Sequence, residues 1–388
     1  MTRIAFLLTQ DRGGPVDVTV RLAATLAAGG VDVRVFGPVP ARGASLLDGR
    51  HEELAVSDKE DLAAAGRARA AIRAWRPDVV HAQDRRAGLV IAGLRFARGP
   101  RPVLVQTYHG VPDDVAEPWF RGERGAAGPS VYTRTVLAAD AVVARVLDRT
   151  IVPAEAMGAF LHHRLRVPAG RLEHIDNCVE PAEPDPPRGP VRHLVFAGLL
   201  VERKGVLDLL AALAVPGVLP PDARLTVVGD GPQRAEAERA ARQPPLAGRV
   251  TFLGFRPDVP ALLAGADALV LPSTMEQQPL VVAEAMAAGK PVLATATGGV
   301  PAMLDVPGAP AFLAPPGDVP ALADRLRALF AEPDPARLGR LLAERADARY
   351  RPEACARRHL TLYDRLAGPR GGPSVSGPRA GRRGTRHG

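Results

Sequence analysis

The stretch LVLPSTMEQQPLVVAEAMAAGKPVLATATGG, residues 269–299, decides how the chain folds. It opens on an unbroken apolar run that ends at Pro272, passes through a polar loop, and resumes near Pro279 with apolar residues at helical spacing. A second apolar run, Pro291–Thr295, closes it. Apolar runs without alternation suit parallel strands covered on both faces, so the segment between them reads as a crossover helix, Leu280–Ala288. Proline is favourable at a helix start, where its missing N–H would have had no partner. The free N–H groups of Leu280 and Val281 then point out of the helix mouth with the dipole behind them, which makes an anion site.

The same rhythm extends in both directions. In the first half the predicted strands are Arg3–Thr9, Asp32–Phe36, Val79–Ala82, Val103–His109, Ala141–Ala144 and Leu172–Asp176. In the second half they are His193–Gly198, Arg224–Asp230, Val250–Gly254, Ala268–Ser273, Pro291–Thr295 and Ala311–Ala314. Helical spacing fills the gaps, as in Val16–Ala28, Asp61–Trp75, Val206–Ala214 and Val319–Phe330. Such alternation predicts the α/β class with right-handed crossovers. Pro181–Pro190, with five prolines in ten residues, interrupts it and reads as a stiff linker. The expected organisation is two doubly wound Rossmann-like domains, residues 1–180 and 191–350, joined by linker 181–190. A final helical segment, 351–367, and a tail, 368–388, follow. Two open sheets facing each other oppose their carboxyl-end crevices, which places the ligand site in the cleft between them.

Composition narrows the function. The 388 residues are 46% apolar and 24% charged, ordinary for a globular chain. No window holds the ~18 uninterrupted apolar residues of a membrane span, and the start, MTRIAFLLTQDRGG, lacks the features of a signal peptide. Two cysteines, Cys178 and Cys355, exclude a disulfide scaffold or zinc cluster. The expected location is the cytoplasm. Of the net charge of +8, five come from arginines in the Gly/Pro/Ser-rich tail, leaving +3 for the remainder. That tail reads as disordered, with peripheral contact to an anionic membrane surface as a possible use and no nucleic-acid partner expected. Lysine occurs only at 59, 204 and 290, against 47 arginines.

Several constellations carry chemistry. Glu276 lies in the loop before the helix and Glu284 in its second turn, so one carboxylate can meet a ligand's reacting end while the other accepts bonds from hydroxyls. In HLVFAGLLVERKG, residues 193–205, a strand ends in Gly198 and a loop bearing Arg203 and Lys204 leads into a helix; cations there suit a diphosphate. Gly13–Gly14 stands between strand and helix, where glycine lets the backbone approach a phosphate or sugar. Val103–Thr107 runs into Tyr108–His109–Gly110, a strand-end position where open sheets present functional side chains. Gly229-Asp230-Gly231 is not a dinucleotide fingerprint, because Arg234 occupies the last place. The chain has neither a P-loop nor an Asp-x-Asp pair for a nucleotide-bound cation, so no metal and no cofactor are expected.

Taken in order, Gly13–Gly14, RPDVVHAQD (76–84), YHG (108–110), HIDNCVEP (174–181), FAGLLVERKG (196–205), VVGDGP (227–232), Glu276-x7-Glu284 and ATATGGVPAML (294–304) resemble the retaining glycosyltransferases of family 4 over residues 3 to 366. The resemblance implies the two-domain GT-B architecture, with the last helix crossing back to the first domain. It implies metal-independent transfer of a sugar from a nucleoside diphosphate to a hydroxyl on a small molecule, glycan or lipid-linked acceptor. By the same resemblance His109, Glu276 and Lys204 are catalytic. The donor would be bound by Gly13, Gly14, Gly198, Arg203, Lys204, Gly229 and Gly254, and by Glu276, Pro279, Leu280, Val281 and Glu284. Acceptor contacts would come mainly from first-domain loops such as Val111–Pro129.

Three positions depart from the family pattern. Leu199 stands where arginine usually follows the strand-end glycine, Cys178 where glycine is usual, and Ala302 where glutamate is common. The first removes one of two diphosphate cations unless Arg203 substitutes. Two readings therefore stay open, an active transferase and a non-catalytic sugar-nucleotide-binding homologue or subunit.

Overall fold

A computed structural model describes residues 2–55 and 61–368. Seven parallel strands form the first sheet: β1 (Arg3–Leu7), β2 (Asp32–Gly37), β3 (His51–Glu53), β4 (Val79–Ala82), β5 (Val103–Thr107), β6 (Arg149–Val152) and β7 (Leu172–His174). Their order is β3-β2-β1-β4-β5-β6-β7. Six more form the second: β8 (His193–Ala197), β9 (Arg224–Val228), β10 (Val250–Gly254), β11 (Ala268–Leu271), β12 (Val292–Thr295) and β13 (Leu313–Ala314). Their order is β10-β9-β8-β11-β12-β13. Every ladder is parallel. Both sheets thus reverse direction once, between β1 and β4 and between β8 and β11, and ligands of open α/β sheets bind outside the strand ends at such a reversal.

Helices cover both faces. In the first domain they are α1 (Gly14–Ala28), α2 (Leu62–Trp75), α3 (Arg85–Ala92), α4 (Glu117–Arg121), α5 (Val131–Val146) and α6 (Glu155–His163). In the second they are α7 (Val206–Ala214), α8 (Arg234–Ala241), α9 (Val259–Ala264), α10 (Leu280–Ala287), α11 (Val300–Met303), α12 (Val319–Phe330) and α13 (Pro335–Tyr350). A last helix, α14 (Pro352–Ala367), packs on α1 of the first domain. The central strands are sealed: Ile4 to Leu8, Val79 to Ala82 and Ala268 to Leu271 are all buried. That is why they read as continuous apolar runs.

Four readings need correction. Ala141–Ala144 is not a strand but the inward stripe of α5, where Leu137, Ala141, Val143 and Ala144 are buried and the Ser130 hydroxyl caps the helix by accepting Thr133 N–H at 3.2 Å. A four-residue apolar run fits either state, and length decides for helix. The strand in that place is β6. The sheet-edge strand β3, His-Glu-Glu, carries no apolar signal at all. The first half of Ala311–Ala314 belongs to a 3₁₀ turn, Ala309–Phe312, leaving β13 only two residues. Several strands also stop before their predicted ends, β1 at Leu7, β5 at Thr107, β9 at Val228 and β11 at Leu271. The residues beyond those ends form the crevice. The tail after Gly368 lies outside the described residues.

The segment 181–190 has no regular structure. It is fixed to the second domain, since Asp185 N–H donates to Ala288 O at 3.0 Å and the Lys290 ammonium donates to Asp185 O. Among the described residues no helix is long and apolar enough to cross a membrane.

Candidate active site

The strand-to-helix loops at the two reversals face each other. From the second domain come the loop after β8, with Arg203 and Lys204, and the loop after β11, residues 272–279. From the first come Gly13–Gly14 after β1, Gln83–Asp84 after β4 and Tyr108–Asp113 after β5. The loops after β5, β8 and β11 enclose a cavity of about 220 Å³ lined by His109 to Asp113 on one side and Arg203, Lys204 and Met275 to Gln277 on the other.

At its centre Lys204 Nζ and Glu276 Oε1 form a direct ion pair, with both side chains largely buried. The two groups were read as separate contacts to a diphosphate and a sugar, and the fold makes them partners. Backbone bonds hold each loop. Thr274 N–H donates to Arg203 O at 2.8 Å, and Glu276 N–H meets Thr297 Oγ1 at 3.2 Å. Gly298 explains why a glycine pair follows β12. Its φ is +53°, and a Cβ there would lie 1.6 Å from Glu276 O, so only glycine lets the 297–299 turn back the Glu276 loop. The pair of glycines at 198 and 229 acts likewise, for a Cβ on Gly229 would fall 1.9 Å from Gly198 O. With Gly229 N–H donating to Gly254 O at 2.8 Å, Gly198, Gly229 and Gly254 form a close-packed floor of three strand ends. This packing gives all three glycines a use of their own, apart from any ligand.

Arg203 also faces the cavity, and its Nε pairs across the cleft with Asp113 Oδ1 at 2.9 Å. Leu199 is 59% exposed. On the helix side, Val282 N–H donates to Pro279 O at 3.1 Å and Ala283 N–H to the same oxygen at 3.4 Å, so the Leu280 and Val281 amides stand upstream at the mouth. Gly13 has φ +107° and precedes α1. A Cβ on Gly14 would lie 3.2 Å from Leu280 Cδ1, so the two domains already touch here. Glu284 is half-buried; burial pushes its carboxyl up, countered by Arg21 and Arg42 of the first domain. Those arginines pair with Glu180 at 3.8 Å and with Asp17.

His109 meets Gln83 Oε1 through Nε2 at 3.3 Å. Burial, with His359 nearby, pushes its pKa down to about 4, so it is neutral at pH 7. His81 lies behind it, its ring nitrogens against Tyr363 Oη at 2.7 Å and Thr107 Oγ1 at 2.8 Å, and is a structural residue. Part of the loop 111–129 lines the cavity and part packs within the first domain. Only Val111 to Asp113 reach the cavity, while Phe120 stacks on Phe160 at 4.7 Å and Trp119 meets the same ring edge-on at 5.9 Å. Glu117, buried, accepts Gly298 N–H at 3.1 Å. Sequence reasoning missed Gln277, buried in the cavity wall with its carbonyl oxygen unpaired among the described residues, as well as Asp113 and the two arginines near Glu284. A glutamine between two recognisable glutamates carries no signal of its own.

Two doubly wound parallel-sheet domains opposed across a cleft are the GT-B architecture of two-domain transferases. The chain belongs to family 4 of the glycosyltransferases, the group 1 glycosyl transferases: the model described as "Glycosyltransferase Family 4" matches residues 12–183 and that described as "Glycosyl transferases group 1" matches residues 191–332. It is 31% identical to 2-deoxystreptamine N-acetyl-D-glucosaminyltransferase of Streptomyces fradiae, over 72% of each chain. It is 37% identical to 2-deoxystreptamine glucosyltransferase of Streptomyces kanamyceticus over 38% of each, and 30% identical to glycogen synthase of Mycobacterium tuberculosis over 67% of this chain and 62% of that one. The chain therefore spans less than two thirds of the length of these last two relatives. In structure it resembles Anabaena HepE, solved with UDP and glucose, at a TM-score of 0.74 and 21% identity over 93% of this chain and 99% of that one. Sucrose-phosphate synthase of Thermosynechococcus elongatus gives 0.74 and 24% over 94% and 99%.

Proposed function

We propose that the chain transfers a sugar from a nucleoside diphosphate to an acceptor hydroxyl, with retained anomeric configuration and without a metal. The observation that carries this is the Lys204–Glu276 pair, held at the reversal of one sheet and facing the reversal of the other. Breaking the anomeric bond builds positive charge on the sugar and negative charge on the diphosphate. Preorganised donors aimed at those oxygens are usually the largest catalytic term. Here Lys204, Arg203 and the Leu280 and Val281 amides supply that counter-charge, which is the role a metal would otherwise fill. Glu276 turns from Lys204 to hydroxyls of the transferred sugar, neutral His109 contacts the sugar near the reacting carbon, and Glu284 binds the donor ribose. Gly13 and Gly14 back the diphosphate. A site for a whole ligand usually exceeds ~300 Å³, so the 220 Å³ cavity suits the reacting end of the donor. Two free buried thiols, Cys178 and Cys355, fit a cytoplasmic location.

The test is transfer or hydrolysis with UDP-, GDP- and dTDP-sugars in EDTA, with product configuration read by NMR. Turnover that survives EDTA and falls on Glu276→Gln or Lys204→Ala supports the reading. Turnover abolished by EDTA overturns metal independence, and an inverted product overturns retention. Nucleotide-sugar binding by calorimetry without turnover selects a non-catalytic binding protein instead.

A further inference from the structure

A larger cavity, about 530 Å³, opens beside the first and lies wholly in the first domain. The two share His109 and Gly110, so whatever fills the larger one reaches the reacting end of the smaller. Its inner end is polar, with Thr9, Gln10, Gln83 and His109. Its outer wall sets apolar groups, Leu89 of α3 and Tyr132, Val136 and Ala139 of α5, beside the arginines Arg85 and Arg86 of α3. Leu89 is 46% exposed and Tyr132 69%, large apolar surfaces left in water beside a polar pocket.

Two carboxylates border the cavity, and both are already engaged. Asp84 Oδ2 accepts Thr9 N–H at 2.7 Å, while its Oδ1 accepts Thr9 Oγ1 and Ala87 N–H at 2.8 Å each. Asp140 accepts Tyr108 Oη–H at 2.7 Å and pairs with Arg85 at 2.6 Å. Diverting either to a ligand's ammonium would break the cap of α3 or strand a buried tyrosine hydroxyl.

We propose that this cavity seats the acceptor, and that the acceptor is an amphiphile without cationic groups. Its hydroxyl-bearing head lies toward His109, and an apolar ring body covers Leu89, Tyr132 and Val136. A polycationic aminocyclitol finds two arginines and only carboxylates that are already engaged, and a plain glycan leaves the apolar wall wet. The volume falls in the range of pockets for drug-sized ligands, ~300–1,000 Å³. The proposal rests on the sugar-transfer reading for the direction of transfer, and its test is a binding measurement that does not need turnover.

The full chain is titrated with 2-naphthyl β-D-glucoside, methyl β-D-glucoside and 2-deoxystreptamine, and separately with UDP. The naphthyl glucoside is expected to bind at least about tenfold tighter than the methyl glucoside. Leu89→Asp and Tyr132→Ala, both at exposed positions, each weaken that binding by about tenfold with the unfolding midpoint and UDP affinity unchanged. Equal binding of the two glucosides, indifference to both variants, or tighter binding of 2-deoxystreptamine overturns the proposal. Naphthyl glucoside binding without any UDP binding sinks the donor reading and leaves the cavity assignment standing.

Discussion

Leu199 and Arg203 set the question at the level of single residues. An exposed leucine occupies a place where the family pattern has arginine, and four positions later Arg203 faces the cleft cavity. Arg203 pairs there with Asp113 of the opposite domain. If it replaces the missing cation, Arg203→Ala lowers kcat by about 10²-fold. An unchanged kcat rejects that replacement. Lysine scarcity shows how far a residue could be read before folding. Lys204 and Lys290 look equally singular in sequence, yet one meets Glu276 in the cleft and the other ties down the proline-rich linker. What separates them is which backbone lies opposite, and spacing along the chain does not encode that. The placement of Glu276 in the loop and Glu284 on the helix was legible because a strand, a proline and a helix start frame them. Gln277 was not.

The element that most depends on its neighbours is the loop after β11. Its course is fixed by Gly298, where any side chain would collide with the Glu276 carbonyl. Gly298→Ala should lower stability by more than ~1 kcal/mol and displace Glu276, read as a lower denaturant midpoint together with a loss of kcat. A variant with native midpoint and activity would show that the turn has freedom the geometry denies it. Elements themselves were legible wherever burial on both faces left an unbroken apolar run, as in β1, β4 and β11. The failures have physical causes. Ala141–Ala144 is a helix stripe too short to show its period, and β3 is a polar edge strand paired only with β2.

At the scale of the whole molecule, α14 joins the far end of the chain to the first domain through buried histidines. His81 and His359 lie 5.6 Å apart between ring centroids, and Tyr363 donates to or accepts from His81. Burial pushes His359 down to about 4, as it does His109, and lowers His81 well below its ordinary value of 6.5. The unfolded chain therefore takes up more protons than the folded one once the pH drops below about 6.5. The stability these groups contribute is complete above that pH and is lost as pH falls toward 4, at about 1.4 kcal/mol per pH unit for each histidine. Urea midpoints should fall between pH 7 and pH 5, and His359→Gln should flatten the fall. A pH-independent midpoint would contradict the buried-histidine account.

The chain passes between the domains twice, and Val179 N–H donates to Tyr350 O at 3.0 Å, so the two passages run side by side. Pro352 keeps Arg351 extended, breaking the chain between α13 on the second domain and α14 on the first. Asp185 and Lys290 clamp the linker onto the second domain, so a hinge between the domains would have to bend in the few residues before Pro184 and at the junction at Arg351. The two halves accordingly share one crossing point, about which a rotation would change the gap between Lys204 and His109 without lengthening either passage.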